Sequence, residues 1–331
     1  MEHLVVSASS PDPASIARAA ASLRAGALVA FPTETVYGLG ANARDVAALR
    51  RLYEAKGRPA YNPVIVHVAD AAAARELCDG WPPAAERLAA RYWPGPLTLV
   101  LPRSAAVPDV VTAGLPSVGI RVPAHPVALA LLRAAGVPVA APSANRSTEL
   151  SPTCAEHVAR GLGDRVDVLL DGGETELGIE STVVDLTGEL PVLLRPGVLT
   201  REELELVVGP IALARPGVGT EARRAPGQLA RHYAPRGELE LLPAVELRER
   251  LALATDVSAT VGVLARTARI EPAPGILVLR MPMAPRLYAR RLYAALHECD
   301  AAGCRRILVE TVPDDPAWEG VRDRLARATH R

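Results

Sequence analysis

The sequence predicts an α/β fold made of two units joined by a long linker. Three observations support this prediction. Short apolar runs alternate with segments of helical periodicity over residues 1–209, and the same alternation returns over residues 238–331. Between them, residues 210–237 have no apolar period and are rich in Pro, Gly and Arg, which is typical of a linker. At 331 residues, the chain is long enough for two domains of ordinary size.

The composition indicates a globular protein without a strong overall charge. Hydrophobic residues make up 49% of the chain and charged residues 22%, and 37 Lys and Arg residues balance 37 Asp and Glu residues. Because the net charge is zero, any nucleic-acid contact has to be a local patch. The four cysteines lack zinc-site spacing, which favours a reducing compartment. We expect a cytoplasmic protein with no membrane contact, since there is no signal-peptide pattern and no apolar run of membrane length.

Helix signals are clear in several places. Asp12 followed by Pro13 predicts a capped helix start, and the helix should run to about residue 24. Apolar residues at helical spacing predict a second helix over 45–56. Thr200 with Glu203 forms a capping box for a helix that ends near residue 208. The other predicted helices are at 71–78, 83–92, 126–135, 245–254, 285–302 and 316–328.

Predicted strands alternate with these helices, and several run directly into polar loops. A buried strand over 27–31 precedes the Gly- and Thr-rich run 33–42, which we expect to be a ligand loop because α/β folds bind ligands beyond strand ends. A strand over 137–141 likewise runs into the segment PSAN, and residues 178–184 are a loop entering a strand. The remaining predicted strands are at 63–68, 97–101, 118–122, 166–170, 191–194, 238–242, 261–265, 275–279 and 305–310.

Lys56 stands out because it is the single lysine among the 37 Lys and Arg residues. An ammonium group and a guanidinium fork are not interchangeable, so a lysine retained in an arginine-rich chain indicates a role as a compact point charge, such as gripping a polyphosphate. Gly57 can end the preceding helix, and Arg58 and Asn62 follow in a Pro-flanked loop. The alternative is that Lys56 only complements the helix dipole, where any cation suffices.

Other polar residues at strand ends are candidate ligand contacts, each with a structural alternative. Arg121 lies in the apolar strand 118–122, where it either binds a ligand or forms an internal ion pair. His67 is either a contact or a buried structural histidine, and Thr35 is either a contact or a turn hydroxyl. Ser143 and Asn145 either contact a ligand or cap a turn.

The expected chemistry is electrostatic, because no familiar nucleotide or hydrolase motif is present. The sequence has no Walker A motif, no G-x-G-x-x-G after a strand, no Ser-His-Asp order and no metal-ligating cluster. Arg58 and Arg195, with Lys56, are expected to neutralise phosphates. Arg121 and His67 remain to hold a smaller ligand that carries a carboxylate. The neutral donors to the phosphates are predicted to be Asn62, Thr112, Ser143 and Ser151.

Eight segments of the chain carry a resemblance to a known family. In order, they are FPTETVYGLGAN, KGRPAYNPVIVHV, WPGPLTLVL, GIRVPAHP, APSAN, GIESTVVD, LLRPG and APGQLARHYAP. Together they resemble the long, two-domain form of threonylcarbamoyl-AMP synthase, densely over residues 13–237 and loosely beyond. The resemblance implies a YrdC-like twisted mixed sheet with flanking helices over 1–209, a linker or lid over 210–237, and a smaller Rossmann-like α/β domain over 238–331.

The resemblance also implies a reaction and its partners. L-Threonine, bicarbonate and ATP would give threonylcarbamoyl-AMP and pyrophosphate, which makes the protein a nucleotidyltransferase. The product would pass to other proteins that place the threonylcarbamoyl group on tRNA beside the anticodon, and a weak tRNA contact is possible within this scheme. Mg²⁺ is expected to arrive with the ATP phosphates, and its protein ligands stay unassigned.

Site residues follow from the resemblance position by position. Lys56 and Arg58 match the catalytic positions. The positions that hold ATP match Lys56, Arg58, Asn62, Thr112, Ser143, Asn145, Ser151, Arg195, His232 and Tyr233. The positions that hold L-threonine match Thr35, His67, Arg121, Ala141 through its backbone, and Ser181. In the linker, Ala230 and Arg231 stand where the family often has a lysine.

Two other classes of function stay open on the sequence alone. One is a tRNA- or double-stranded-RNA-binding module without chemistry, against which stand the zero net charge and an aromatic content of 3%. The other is a carbamoyl-transfer or hydrogenase-maturation enzyme, which would need cysteine-rich and acylphosphatase-like parts that this sequence lacks. We also hypothesise that the C-terminal unit holds the linker in place.

Overall fold

The structure is a computed structural model, and it describes residues 1–214, 233–253, 260–271 and 273–329. In these residues the fold has two parts, each built on its own sheet. Both are α/β, as the sequence predicts. Most of the predicted linker, including His232, lies outside the described residues, so the predicted domain boundaries remain a prediction.

The larger sheet has eleven strands in the described residues and mixes parallel with antiparallel pairs. Its spatial order is β1-β8-β2-β3-β7-β4-β6-β5-β9-β10-β11. The strands are β1 (Glu2–Val5), β2 (Val29–Phe31), β3 (Gly38–Asn42), β4 (Val66–His67), β5 (Leu97–Pro102), β6 (Ser117–Arg121), β7 (Val139–Ala140), β8 (Val168–Asp171), β9 (Thr182–Asp185), β10 (Val192–Arg195) and β11 (Ala212–Leu213). The helices that flank it are α1 (Pro13–Arg24), α2 (Val46–Lys56), α3 (Ala71–Arg75), α4 (Pro83–Tyr92), α5 (Asp109–Thr112), α6 (Pro126–Ala135), α7 (Ala155–Leu162) and α8 (Arg201–Val208).

The smaller sheet is parallel throughout and has the order β12-β15-β13-β14. Its strands are β12 (Glu238–Leu242), β13 (Val261–Ala265), β14 (Ile276–Arg280) and β15 (Arg306–Glu310). Its helices are α9 (Ala244–Leu253), α10 (Pro285–Ala301) and α11 (Glu319–Thr329). A parallel sheet with crossover helices is the architecture that the alternating pattern after residue 238 predicts.

Local capping signals set several helix ends. The Asp12 carboxylate accepts a hydrogen bond of 2.8 Å from the Ser15 amide at the start of α1. The capping box of α8 is present in both directions between Thr200 and Glu203. Helix α2 ends at Gly57, whose φ of 59° lies in the left-handed region that glycine adopts without strain. These helix predictions are therefore confirmed.

Five elements differ from or add to the sequence prediction. The run 33–42 is a loop only in its first part, because residues 38–42 form β3, which pairs antiparallel with β2. Gly40 is needed there, since a Cβ at this position would lie 2.9 Å from both the Phe31 ring and Val139. Strand β1 and helices α5 and α7 were not predicted from the sequence. Residues 212–213 were predicted to belong to the linker, whereas they form β11 at the edge of the larger sheet.

The two units share a buried interface. Val36, Leu150 and Ile179 of the first unit belong to the same apolar cluster as Leu292 and Leu296 of α10. Burying apolar side chains across a domain boundary stabilises the docking of the two units. No helix in the described parts of the chain is both long and apolar enough to cross a membrane.

We expect Gly320 to be essential for close docking of α11 on the first unit. A Cβ at Gly320 would lie 2.8 Å from the carbonyl carbon of Gly197, so Gly320→Ala should push the helix away and destabilise the protein by about 1–3 kcal/mol. The matched control is Gly161→Ala in α7, where no atom lies within 4 Å and alanine favours the helix. Urea unfolding tests this prediction, and equal stability of the two variants would contradict it.

Candidate active site

One cavity lies where the polar ends of several strands of the larger sheet meet. The segment after β2, the ends of β4, β6 and β10, the segment after β7 and the segment before β9 all contribute to it. Its lining residues are Thr33, Thr35, Val36, Gly38, Arg58, Ile65, His67, Arg121, Ala141, Pro142, Ser143, Glu180, Ser181, Arg195 and Tyr233. Nine of the residues proposed from the sequence are therefore brought together, although they come from distant parts of the chain.

Arg58 and Arg195 give one side of the cavity its positive charge. Arg58 donates to the carbonyl oxygens of Asn62 (2.9 Å) and Pro63 (2.7 Å). Arg195 donates to both the carbonyl and the hydroxyl oxygen of Ser181, each at 3.0 Å. Burial lowers the pKa of Arg58 to about 10, and the charge of Arg195 adds to this effect. An anion bound between the two guanidinium groups would relieve their repulsion.

Lys56 lies just behind this wall, at the last residue of α2. Its ammonium group donates to the carbonyl oxygen of Ser143 at 2.6 Å and to that of Asn145. Burial, followed by the nearby charge of Arg58, lowers the pKa of Lys56 well below its usual value. Two of the three ammonium donors thus hold the segment that follows β7, and one donor is left.

Arg121 and Glu34 form a buried ion pair beneath the other side of the cavity. The Nη2 atom of Arg121 lies 2.8 Å from a carboxylate oxygen of Glu34, and both side chains are only 5% exposed. Arg121 also donates to the Thr35 hydroxyl (2.9 Å) and to the Gly95 carbonyl (3.2 Å). The internal ion pair considered as an alternative for Arg121 is present, and its guanidinium still lines the cavity. Only Nε and Nη1 make hydrogen bonds among the described residues, while Nη2 faces Glu34 as an ion pair without one, so donors remain on Nη1 and Nη2.

His67 is held in its neutral form. Burial, with the charge of Arg121 as a second cause, lowers the pKa of His67 to about 3. The ring meets Phe31 edge to face at 6.4 Å between centroids. Its Nδ1 atom is buried without a hydrogen-bond partner among the described residues. A neutral imidazole at the cavity wall can donate to or accept from a small polar ligand.

Besides Lys56, four predicted ATP contacts do not line the cavity. Thr112 belongs to a separate small cavity, and Asn62 supports Arg58 through its carbonyl oxygen. The Asn145 amide donates to the carbonyl oxygens of Arg146 and Glu149, so it caps its own loop. Ser151 donates to the Glu180 carboxylate instead. The prediction for His232 falls outside the described residues.

Sequence reasoning missed two carboxylates at the site, Glu34 and Glu180. Glu34 stands between two threonines in the segment FPTET, and Glu180 follows Gly178-Ile179, so an acidic residue within an apolar or small-residue run was the available signal. Both face buried arginines. Among the described residues, no group of three or more His, Cys, Asp or Glu side chains is placed to hold a metal ion.

Known proteins are similar to this chain over nearly its whole length. A family model for the Sua5, YciO and YrdC proteins, described as "Telomere recombination", matches residues 21–197, and the model "Threonylcarbamoyl-AMP synthase, C-terminal domain" matches residues 199–329. The chain is 44% identical to the threonylcarbamoyl-AMP synthase of Pyrococcus abyssi, over 94% of this chain and 93% of that protein. It is 42% identical to that of Bacillus subtilis, over 95% and 92%. The crystal structure of P. abyssi Sua5 complexed with L-threonine has a TM-score of 0.93 and 43% identity, and the match covers 99% of this chain and 98% of that one.

We expect His67 to make the protein less stable as the pH falls below about 6.5. The unfolded chain takes up a proton near the ordinary histidine pKa of about 6.5, whereas the folded protein does so only near 3. Protonation therefore favours unfolding, and the loss due to His67 should reach about 1.4 kcal/mol at pH 5.5. Urea unfolding of the wild type and His67→Asn at pH 7.5 and 5.5 tests this, because the variant should lose less stability. Equal losses would count against the neutral, buried imidazole.

Proposed function

The chain belongs to the threonylcarbamoyl-AMP synthase family, and we propose that it joins L-threonine, bicarbonate and ATP into threonylcarbamoyl-AMP and pyrophosphate. The observation that carries this proposal is the two-sided cavity. Arg58 and Arg195 give one side the charge that a polyphosphate needs, and Arg121 with His67 gives the other side the groups that an amino acid needs. The reaction requires both ligands next to each other, since one must attack the other.

The proposed chemistry has two steps. The amine of L-threonine attacks the carbon of bicarbonate, water leaves and a carbamate forms. A carbamate oxygen then attacks the α-phosphorus of ATP, and pyrophosphate leaves. Because a carbamate decomposes readily, the second step has to follow within a site that excludes bulk water. The depth of the cavity supports this, since Thr35, Ser181 and Tyr233 are each at most 1% exposed.

L-Threonine is proposed to lie on the Arg121 side. The N–H donors that remain on Nη1 and Nη2 of Arg121 can bind the threonine carboxylate, with Thr35 and His67 beside it. The Ala141 amide already donates to the Ile65 carbonyl at 2.9 Å, so its backbone contact would be made by its carbonyl oxygen. Ser181 is proposed to join the threonine side next to the phosphates, since it lines the cavity and its hydroxyl accepts a hydrogen bond from Arg195.

The phosphates of ATP are proposed to lie on the Arg58 side. Arg58 and Arg195 neutralise their charge, while Lys56 fixes the segment that carries Ser143 and offers its remaining donor. Asn62, Asn145 and Ser151 support this wall from outside the cavity lining, through Arg58, Lys56 and Glu180. Thr112 lines a separate small cavity instead. Mg²⁺ would enter as part of the ATP substrate, where it offsets the charge of the leaving pyrophosphate. Such an ion is held mainly by phosphates and water and needs no cluster of protein carboxylates.

In the cell, the product is proposed to pass to the proteins that transfer the threonylcarbamoyl group to tRNA, in the cytoplasm. A weak tRNA contact belongs to this proposal. An RNA-binding module without chemistry is a poorer account, because Arg58, Arg121 and Arg195 are buried in a cavity instead of spread over an exposed surface.

We expect Lys56→Ala to lower synthesis by about 100-fold or more, because an aligned positive charge at the phosphates and the anchor of the Ser143 segment are both lost. Chromatography of a fresh reaction with ATP, L-threonine, bicarbonate and Mg²⁺ measures the adenylate adduct and pyrophosphate. Arg50→Ala is the matched control, since Arg50 is exposed on the same helix. If wild-type protein leaves ATP untouched but still binds tRNA, the synthase proposal fails and the RNA-binding module replaces it.

We expect Arg121→Lys to raise the KM for L-threonine by about tenfold or more and to change the KM for ATP much less. A lysine keeps the charge beside Glu34 but cannot offer a planar fork to a carboxylate as well. Steady-state kinetics with each substrate varied in turn separate the two effects. A rise confined to the KM for ATP would show that the two ligand sides are assigned the wrong way round.

A further inference from the structure

We propose that Arg324, in α11 of the C-terminal unit, is a positioning residue of the active site. It would act by holding the two segments that carry Ser181 and Arg195 at a fixed spacing. The inference rests on the proposed function, and it gives the C-terminal unit a role in the reaction that goes beyond docking.

Arg324 reaches fully across the interface between the two units. Its side chain is 0% exposed, and its Nε atom lies 2.7 Å from a carboxylate oxygen of Glu180. Its Nη2 atom also donates to the Glu180 carbonyl at 3.3 Å, and its Nη1 atom donates to the Pro196 carbonyl at 2.9 Å. Glu180 and Pro196 are the chain neighbours of Ser181 and Arg195. One guanidinium thus binds both segments directly beside their ligand-facing residues.

Glu180 is a buried anion whose partners come from both units. Besides Arg324, it accepts hydrogen bonds from Ser151 and, at 3.1 Å, from the Tyr293 hydroxyl of α10. Burial alone would raise the pKa of Glu180, but the charges of Arg324 and Arg195 outweigh it, so the pKa lies below its ordinary value. The carboxylate therefore stays ionised at neutral pH, and Arg324 keeps its counter-charge.

Tyr233 is held by the same residues. The Arg324 guanidinium lies 5.1 Å from the centre of the Tyr233 ring, and the Tyr293 ring lies 5.8 Å away on α10. Tyr233 has a φ of 59°, a left-handed conformation that side chains other than glycine rarely adopt. Such a backbone persists only where its surroundings fix it. The C-terminal unit thus sets the position of a residue that lines the cavity.

The loss of Arg324 would affect the bound ligands through Ser181 and Arg195. Arg195 is bonded to Ser181 through two contacts of 3.0 Å, and the Ser181 hydroxyl lies 2.8 Å from that of Thr98. If Arg324 is lost, Glu180 keeps a buried charge without its main partner, and both segments are free to shift. A displacement of about 1 Å at such a site can lower the rate by up to about 100-fold.

The test variant is Arg324→Lys, which keeps the positive charge for Glu180 but cannot reach the Pro196 and Glu180 carbonyls together. Arg322→Lys is the matched control, because Arg322 lies on the same helix and bonds the Pro313 and Asp315 carbonyls within the C-terminal unit. We expect Arg324→Lys to lower kcat/KM for ATP by about 10- to 100-fold when assayed well below its Tm, where the variant is folded. The control should stay within about twofold of the wild type.

A double-mutant cycle with Ser181→Ala separates positioning from general stability. If Arg324 acts through Ser181, the Ser181→Ala change should cost much less activity in the Arg324→Lys background than in the wild type. Additive losses, unchanged activity of Arg324→Lys, or an equal loss in Arg322→Lys would each overturn the proposal. Should Arg324→Lys not fold, Arg324→Gln combined with Glu180→Gln removes both charges together, and the same comparisons apply.

Calorimetry measures the affinities for ATP and for L-threonine, and it tests the positioning role without relying on the proposed reaction. If the wild type forms no adduct, the proposed function fails, whereas weaker binding of either ligand to Arg324→Lys but not to Arg322→Lys still supports positioning. Equal affinities of wild type and Arg324→Lys for both ligands would overturn it.

Discussion

The free-energy cost of burying positive charge is the constraint on which this structure depends. Lys56, Arg58, Arg121, Arg195 and Arg324 are all buried around or behind one cavity. A buried cation is tolerated only if nearby groups satisfy its donors or balance its charge. Each of the five cations has its own set of partners. These contacts connect segments that are far apart in the chain.

The type of partner also differs between these cations, and this difference separates their proposed roles. Lys56 and Arg58 bond to backbone carbonyls, which satisfy donors without cancelling charge, so the positive potential remains available for phosphates. Arg121 and Arg324 instead have the carboxylate partners Glu34 and Glu180. Arg121 is thereby left to recognise a ligand through its unused donors, and Arg324 is left to hold structure. This arrangement suits the proposed placement of a polyanion on one side and an amino acid on the other.

The sequence predicted elements whose causes are local. The caps at Asp12 and Thr200 and the helix end at Gly57 are decided within one helical turn, and they were found. Helix α7 was missed although Ala155, Val158 and Leu162 form one apolar face. The edge strands β1 and β11 are short, and they pair with β8 and β10. No local sequence pattern identifies either of them as a strand.

The sequence predicted many of the residues that form the site, but it did not predict how they are arranged. Strand-end placement and the family resemblance identified Arg58, Arg121 and Arg195, and the structure brings them to one cavity. The partners of buried charges depend on topology: Arg324 meets Glu180 across 144 positions of sequence, and no spacing rule reaches that far. Asn145, in contrast, was given a turn-capping alternative, and its amide does cap its own loop.

The most direct test of the two-sided cavity is a crystal structure of the full chain with L-threonine and a non-hydrolysable ATP analogue. We expect the threonine carboxylate within hydrogen-bond distance of Arg121 and the phosphates between Arg58 and Arg195. Phosphates bound at Arg121, or a nucleotide bound outside this cavity, would contradict it.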